Sequence, residues 1–294
     1  MPEIWSGQLN EKFYTATVFN EIANNKFEGE IKDQGDKVYI RTIPDITIND
    51  YQKGKVLDVE HPDSEPLELL IDKGHYFNVA VDDVDKYQSD LNLMEEWSKD
   101  ATEQMRNKQD KKVLGDVYAD VDDNNQGSSA GKRSGAYDLG SSGGAVSITK
   151  SNILDYIVDL GTVLDEADIP SENRWLVAPA WFTGLIKQSD LQDASLAGDS
   201  KSILRNGKIG MIDRFTIYMS NNVASEDGTG DDDGDTCWNI IAGHKAALTY
   251  ASQIVKVQNI ESERTFATLV RGLNVYGYKV VVPDAMALLY AKKG

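Results

Sequence analysis

Hydrophobic and polar positions change period several times along this chain, and those changes divide it. "KVYIRTIPDITIND", from Lys37, alternates: Val38, Ile40 and Thr42 fall on one face, Tyr39, Arg41 and Ile43 on the other. "KVLDVE", "PLELLID" and "YFNVAVDDV" follow, the last with Phe77, Val79 and Val81 in step. This period of two predicts strands, broken at Gly54 and at His61–Pro66. The outer part of the region carries mixed charges and reads as a long hairpin projecting from the body. Ser89 or Asp90 can cap the next element, where Leu91, Met94, Trp97, Ala101 and Met105, then Val113, Leu114 and Val117, recur at three- and four-residue steps. That predicts a long amphipathic helix over about 88–120.

Residues 122–147, rich in Gly and Ser, read as a surface loop or linker. Beyond them, Thr149 or Ser151 can cap a helix with Ile153, Leu154, Ile157, Val158, Gly161 and Leu164 on one face, ending near Asp168-Ile169-Pro170. "RWLVAP" reads as a buried strand and "AWFTGLIKQ" as a helix. "ILRNGKIGMIDRFTIYMSNN" reads as a hairpin turning at Asn206-Gly207. "WNIIAGHKAALTYASQI" reads as a strand plus a short helix, and "FATLVRGLNVYGYKVVVP" as closing strands. Helix and strand alternate, so the body mixes both. The first 36 residues hold Trp5, Phe13, Tyr14 and Phe19 in a weak pattern. Two readings stay open for them: a segment pinned on the body by its aromatics, or an arm reaching a neighbouring subunit.

At 294 residues the chain can bury one large core or two smaller ones. Its net charge of -18 excludes a dedicated nucleic-acid binder, which needs surplus cations, and docking on an anionic membrane. No stretch is long and apolar enough to span a bilayer as a helix, so no membrane partner is expected. The single cysteine, Cys237, leaves no intrachain disulfide.

Catalytic patterns are missing. His61, His75 and His244 lack metal-ligand spacing. "GSSAGKR" has three residues between its glycines and Arg133 after Lys132, where a phosphate-binding loop needs four and Ser or Thr. Asp82, Asp83 and Asp85 suit the start of a helix. No catalytic residue, cofactor or regular metal site is expected. "SEDGTGDDDGDTC" (225–237) fails the EF-hand rule: with Gly234 at position 6, position 12 is Ile240, which cannot ligate. An irregular calcium site in this acidic loop stays as an alternative to a solvated, mobile loop between two strands.

The joint order of these stretches resembles the major capsid proteins of tailed double-stranded DNA bacteriophages. "GDKVYIRTIPDITINDYQKG" with "LLIDKGHYFNVAVDDVDKYQS" is similar to the family's extended loop and its return into a spine helix. "LDEADIPSENRWLVAPAWFTGLIK" and "LRNGKIGMIDRFTIYMSNNV" are similar to its axial domain. "AGHKAALTYASQIVKVQ" and "GLNVYGYKVVVPDAMALLYA" are similar to its return to the peripheral domain.

The resemblance implies an α+β fold of HK97 type. Residues 1–36 would be the N-terminal arm, 37–80 the extended hairpin loop, and 81–148 the first part of the peripheral domain with the spine helix. Residues 149–260 would be the axial domain and 261–294 the return to the peripheral domain. It also implies a non-enzymatic protein of the virion, assembled in the host bacterial cytoplasm. Many copies would form hexamers and pentamers of an icosahedral shell around double-stranded DNA, with no sequence-specific binding. Scaffolding, portal and decoration proteins are implied partners, and the scaffold is expected to be a separate protein because no long segment precedes the arm. Phe13, Tyr14, Lys53, Lys55, Glu60, Glu65 and Glu68 are the candidate intersubunit contacts. Asp227, Asp231, Asp232, Asp233 and Asp235 would belong to a flexible axial-domain loop at the capsomer rim or centre. Two alternatives stand beside this reading: an encapsulin-like nanocompartment shell, and a calcium-dependent binding protein using the acidic loop.

Overall fold

The central strands carry apolar side chains on both faces, so they need cover on both sides. In Arg174–Ala178 (β5) every residue is buried, and in Met286–Lys293 (β12) the first six are. The computed structural model describes residues 17–26, 37–44, 46–54, 59–63, 66–82, 93–189, 211–262 and 265–294. In it these strands lie inside a seven-stranded sheet. The other members are Val146–Ile148 (β4), Met211–Ile212 (β6), Phe215–Met219 (β7), Ser225–Asp227 (β8) and Thr236–His244 (β9). The order is β4-β12-β9-β5-β7-β6, with β8 paired to β9; β12/β4 and β5/β7 are parallel.

Alternation along the strands sends side chains to two cores. Leu176, Ala178, Ile240 and Leu289 pack with Ile157, Leu160 and Leu164 of helix Ile153–Glu166 and with Phe182 and Ile186 of helix Ala180–Gln188. Trp175, Val177, Ile241 and Leu288 face the opposite core. There they meet Val113, Leu114 and Val117 of the long helix Leu93–Val117 and the short helix Phe19–Ile22. In chain order these helices are α1 (19–22), α2 (93–117), α3 (153–166) and α4 (180–188). Each fully buried Leu or Ile stabilises by about 1.5–3 kcal/mol. Within α3, Leu160 and Val163 take part in the stripe while Val158, expected there, is half exposed. Arg174 has no exposed side-chain surface and joins β5 to the end of α3. It donates to the carbonyls of Gly161, Ile169 and Pro170 and to Asp165 at 2.7 Å.

A second, three-stranded sheet is ordered β10-β11-β3: Leu248–Glu261 (β10), Ala267–Val280 (β11) and Lys73–Asp82 (β3). Lys37–Arg41 (β1) and Pro66–Leu70 (β2) form a separate antiparallel pair. This pair seats Val38, Ile40, Leu69 and Ile71 against Ala251 and Val275. The approach is so close at Gly277 that a Cβ there would collide with the Leu70 carbonyl.

Several expectations need correction. The strand from Lys37 stops at Arg41, before Pro44, and of residues 37–80 the strand 73–80 belongs to the three-stranded sheet. Residues 245–252 hold no helix: β9 turns over Lys245–Ala247 straight into β10. Residues 122–147 are no linker. Asn125, Ala130 and Leu139 are buried, and Asn125 donates to the carbonyls of Asp284 and Met286. Sheet membership does not follow the boundary placed at 260. β10 pairs with β11, and β12 returns to the seven-stranded sheet beside β9, because local alternation carries no information on which sheet a strand joins. The tight turn before β7 is Asp213-Arg214, both at positive φ (42° and 68°), as a two-residue hairpin requires. Asn206-Gly207 lies outside the described residues, as do Asp83, Asp85, Ser89, Asp90 and Leu91.

On α2 the buried stripe lies in the second half, at Met105, Gln109, Asp110, Val113, Leu114 and Val117; Trp97 is only partly covered, at 39% exposed. Asp110, fully buried, accepts four hydrogen bonds. Its Oδ1 takes the amides of Val18 (2.9 Å) and Phe19 (3.0 Å) at the start of α1. Its Oδ2 takes Ser220 Oγ (3.2 Å) and Asn222 Nδ2 (2.9 Å), in the loop after β7. Asp110→Ala strands these donors, and the expected loss of unfolding free energy is on the order of 3–5 kcal/mol in urea denaturation. A loss below about 1 kcal/mol, the net value of a single ordinary hydrogen bond, would show that the carboxylate does not hold these segments together.

Candidate assembly surfaces

The segment between β1 and β2 leaves the body. Ile43, Ile46, Ile48, Tyr51 and Val59 are all strongly exposed there, Ile43 at 93%. The mixed charge expected of this stretch is only part of its chemistry, because these side chains give it an apolar surface as well. Gly54, at φ 89°, makes its turn. Of the candidate contact residues, Lys53 is exposed. Glu60 is engaged across the loop, accepting from the Thr47 amide (3.0 Å) and hydroxyl (3.3 Å). Glu68 pairs with Lys37 at 3.2 Å, so both glutamates shape the hairpin itself. Phe13, Tyr14, Lys55 and Glu65 lie outside the described residues. Of the N-terminal segment, Val18, Phe19, Ile22 and Ala23 are buried in the core between the sheets.

The first half of α2 and β3 enclose a groove of about 590 Å3, lined by His75, Phe77, Val79, Trp97, Met105 and Lys108 among others. His75 Nε2 is 3.0 Å from the Tyr276 hydroxyl. Burial, then the charge of Lys108, holds the imidazole below its ordinary value. Burial, then Asp116 and Asp72, pushes the Tyr276 phenol up to about 12. Both groups are neutral near pH 7 and serve as a hydrogen-bonded pair. His244 accepts from the Ala246 amide and closes the β9–β10 turn.

At "GSSAGKR" the backbone amides of Arg133 and Ser134 point at one oxygen, and it belongs to the protein: Glu166 Oε2, 3.0 Å from each. Lys132 pairs with Asp284 and Arg133 with Asp168. An internal carboxylate therefore occupies the place an anion would take, and both cations are partnered.

The acidic loop is less solvated than its composition implies. β8 pairs with β9, and a short 3-10 turn spans Gly230–Asp232. Asp232 is 2% exposed, accepts from the Ala145 amide at 2.6 Å and pairs with Lys292 at 2.9 Å. Lys292 also reaches Asp235, at 2.7 Å. Hydrogen bonds to these two carboxylates raise the pKa of Lys292, and those from Ala145 and Lys292 lower that of Asp232. Asp227, Asp231 and Asp233 remain exposed. Among the described residues no group of three or more His, Cys, Asp or Glu side chains is arranged to hold a metal, and no helix is long and apolar enough to cross a membrane. The lysine latch carried no signal in the sequence, since Lys292 is 57 residues from Asp235.

Comparison with known proteins addresses the whole chain. The sequence model of the phage capsid protein family matches residues 67–291. A chain from Mycobacterium phage Che8 superposes with a TM-score of 0.77 at 26% identity, covering 98% of this chain and 96% of that one. A chain of the capsid of cyanophage P-SCSP1u gives 0.74 at 15% identity (100% and 93% covered). One from the mature capsid of bacteriophage PhiM1 gives 0.68 at 16% (99% and 92%). The sequence matches none of the curated proteins it was compared with. Neither a nanocompartment nor a calcium-dependent binding protein finds support in these matches. The chain belongs to the phage capsid protein family: it is a structural shell protein with the HK97-like fold of tailed-phage major capsid proteins, and its place is the virion capsid.

Proposed function

We propose that many copies of this chain, as hexamers and pentamers, close into an icosahedral shell around packaged double-stranded DNA, with the 42–63 loop lying over a neighbouring copy. The observation that carries this is the set of exposed apolar side chains from Ile43 to Val59 on a hairpin whose described residues are anchored in a core at its base. Each such side chain buried at an interface contributes about 1.5–3 kcal/mol before ordering costs. Closed symmetry lets one sequence satisfy many such contacts. Phe13 and Tyr14 would add a second intersubunit contact from the arm. The residues of 37–70 would form the extended loop, α2 the spine, and the seven-stranded sheet the axial body. The role is architectural, not catalytic. A net charge of -18 keeps packaged DNA from adhering to the inner wall. Scaffolding, portal and decoration proteins would act as partners, with assembly in the host bacterial cytoplasm.

The exposed carboxylates Asp227, Asp231 and Asp233 would face the capsomer centre, where like charges from neighbouring copies meet. Their repulsion would let the tip of the loop differ between hexamers and pentamers, while Lys292 holds its base through Asp232 and Asp235.

Replacing residues 43–63 with a short Gly-Ser linker keeps the β1–β2 pairing. Electron microscopy of this variant is expected to show no closed shells, while its melting curve stays that of a folded subunit. Normal shells would refute the assignment of the loop. Calorimetric titration of the intact protein with calcium is expected to give no saturable heat. A stoichiometric, saturating isotherm lost in Asp231→Asn/Asp233→Asn would instead make the acidic loop a binding site.

A further inference from the structure

The chain passes between the two sheets at residues 118–145, 245–247 and 281–285, and these crossings are tied to one another. The Ala247 carbonyl accepts from the amides of Val281 (2.7 Å) and Val282 (3.3 Å), and Asn125 joins the first crossing to the third. Across this joint lies the N-terminal segment. Asn24 Nδ2 reaches the carbonyls of Lys245 (3.3 Å), Ala246 (3.4 Å) and Leu248 (3.1 Å). Its Oδ1 accepts from Thr249 Oγ1 at 3.2 Å, and its backbone pairs with Leu248 and Tyr250. Six residues earlier, the Val18 amide is held by Asp110, whose other oxygen holds the loop after β7. Between these two clamps Phe19 packs on Tyr250, with ring centroids 4.7 Å apart.

We propose that Val18–Asn24 is a strap that fixes the angle between the two sheets, and through it the curvature and diameter of the shell, with Asn24 as the positioning residue. This rests on the shell reading above. A change in the angle rotates the Lys245–Leu248 turn, because that turn is the shortest of the three crossings. The three carbonyls held by Asn24 all belong to it. The strap is also bonded to α2, which carries the three-stranded sheet, and through Asp110 to the seven-stranded sheet. Rotation therefore strains polar bonds at both ends of the strap. Buried apolar contacts tolerate small slides; directional hydrogen bonds do not. The strap thus narrows the angles open to a subunit that must serve in pentamers and hexamers alike.

The test compares the full-length protein, Asn24→Ala, and Ile157→Val, a core change on the far face of the seven-stranded sheet. Amide exchange at residue 24, whose amide donates to the Leu248 carbonyl, and at Tyr250, whose amide donates to the residue-24 carbonyl, is expected in the unassembled subunit to quicken about tenfold in Asn24→Ala and to stay unchanged in Ile157→Val. Assembled products of Asn24→Ala are expected to show a broader or shifted curvature, whether as closed shells or open sheets, while Ile157→Val gives wild-type diameters. Unchanged exchange overturns the strap. Faster exchange with wild-type curvature overturns its control of size, as does the same broadening in Ile157→Val. If the wild type forms no lattice at all, the shell reading fails, and the exchange result alone judges the strap.

Discussion

A single buried carboxylate sets the terms for the rest of the molecule. Asp110 lies on the inward face of α2 and has no exposed surface. A charge in that position is tolerated only if hydrogen bonds replace its water. Its four donors come from three places: the backbone at Val18 and Phe19, the Ser220 hydroxyl and the Asn222 amide, 91 to 112 residues away in sequence. Asn222 also donates to Asn107, one turn back on the same helix. Apolar packing alone would let α2 rotate or slide over the sheet at little cost. A carboxylate that must meet four donors at once permits one seating.

That constraint was not legible in the sequence. The pattern over 93–117 gave a helix and located its stripe at Val113, Leu114 and Val117, because apolar residues at helical spacing have one physical explanation. An Asp among Glu, Lys and Arg looks like any solvated position, and only distant partners make it a core residue. The same limit explains the misplaced helix near 245–252. "HKAALTYA" has fair helix propensity, but Thr249, Tyr250 and Ala251 are buried by strand pairing with β11, and tertiary context outweighs propensity. Composition left 122–147 open between a surface loop and a linker; its glycines make backbone turns with positive φ at Gly127, Gly131 and Gly140, and Asn125, Ala130 and Leu139 are buried against the body. Strand patterns survived best. β5, β7 and β11 have apolar runs or alternation that strands explain directly.

The candidate surfaces show the same divide. The projecting hairpin was visible as a break in period between two alternating stretches. Its chemistry was only half seen: the charged residues Glu60 and Glu68 bond to the loop's own backbone and to Lys37, while Ile43, Ile46 and Ile48 face solvent. The acidic loop was conspicuous in composition, yet its organising residue, Lys292, lies near the other end of the chain. Charge density is readable in a sequence. The partner that neutralises part of it is not.

The seven-stranded sheet is covered on both faces and satisfies itself. The hairpin does not. A two-stranded ribbon is marginal in water, and among its described residues the core anchors are those of its base, at Val38, Ile40, Leu69 and Ile71. Its outer side chains would gain most of their stabilisation from surface the chain does not supply. A subunit built this way separates two tasks. On the shell reading proposed above, the body fills its two cores with its own side chains, while the projecting segment would bury its apolar side chains against another copy. The joint between the sheets links the two, because the hairpin rides on β11 at Gly277 while the body hangs from the turn at Ala247. Any angle fixed at that joint is an angle between what the subunit is and where it reaches.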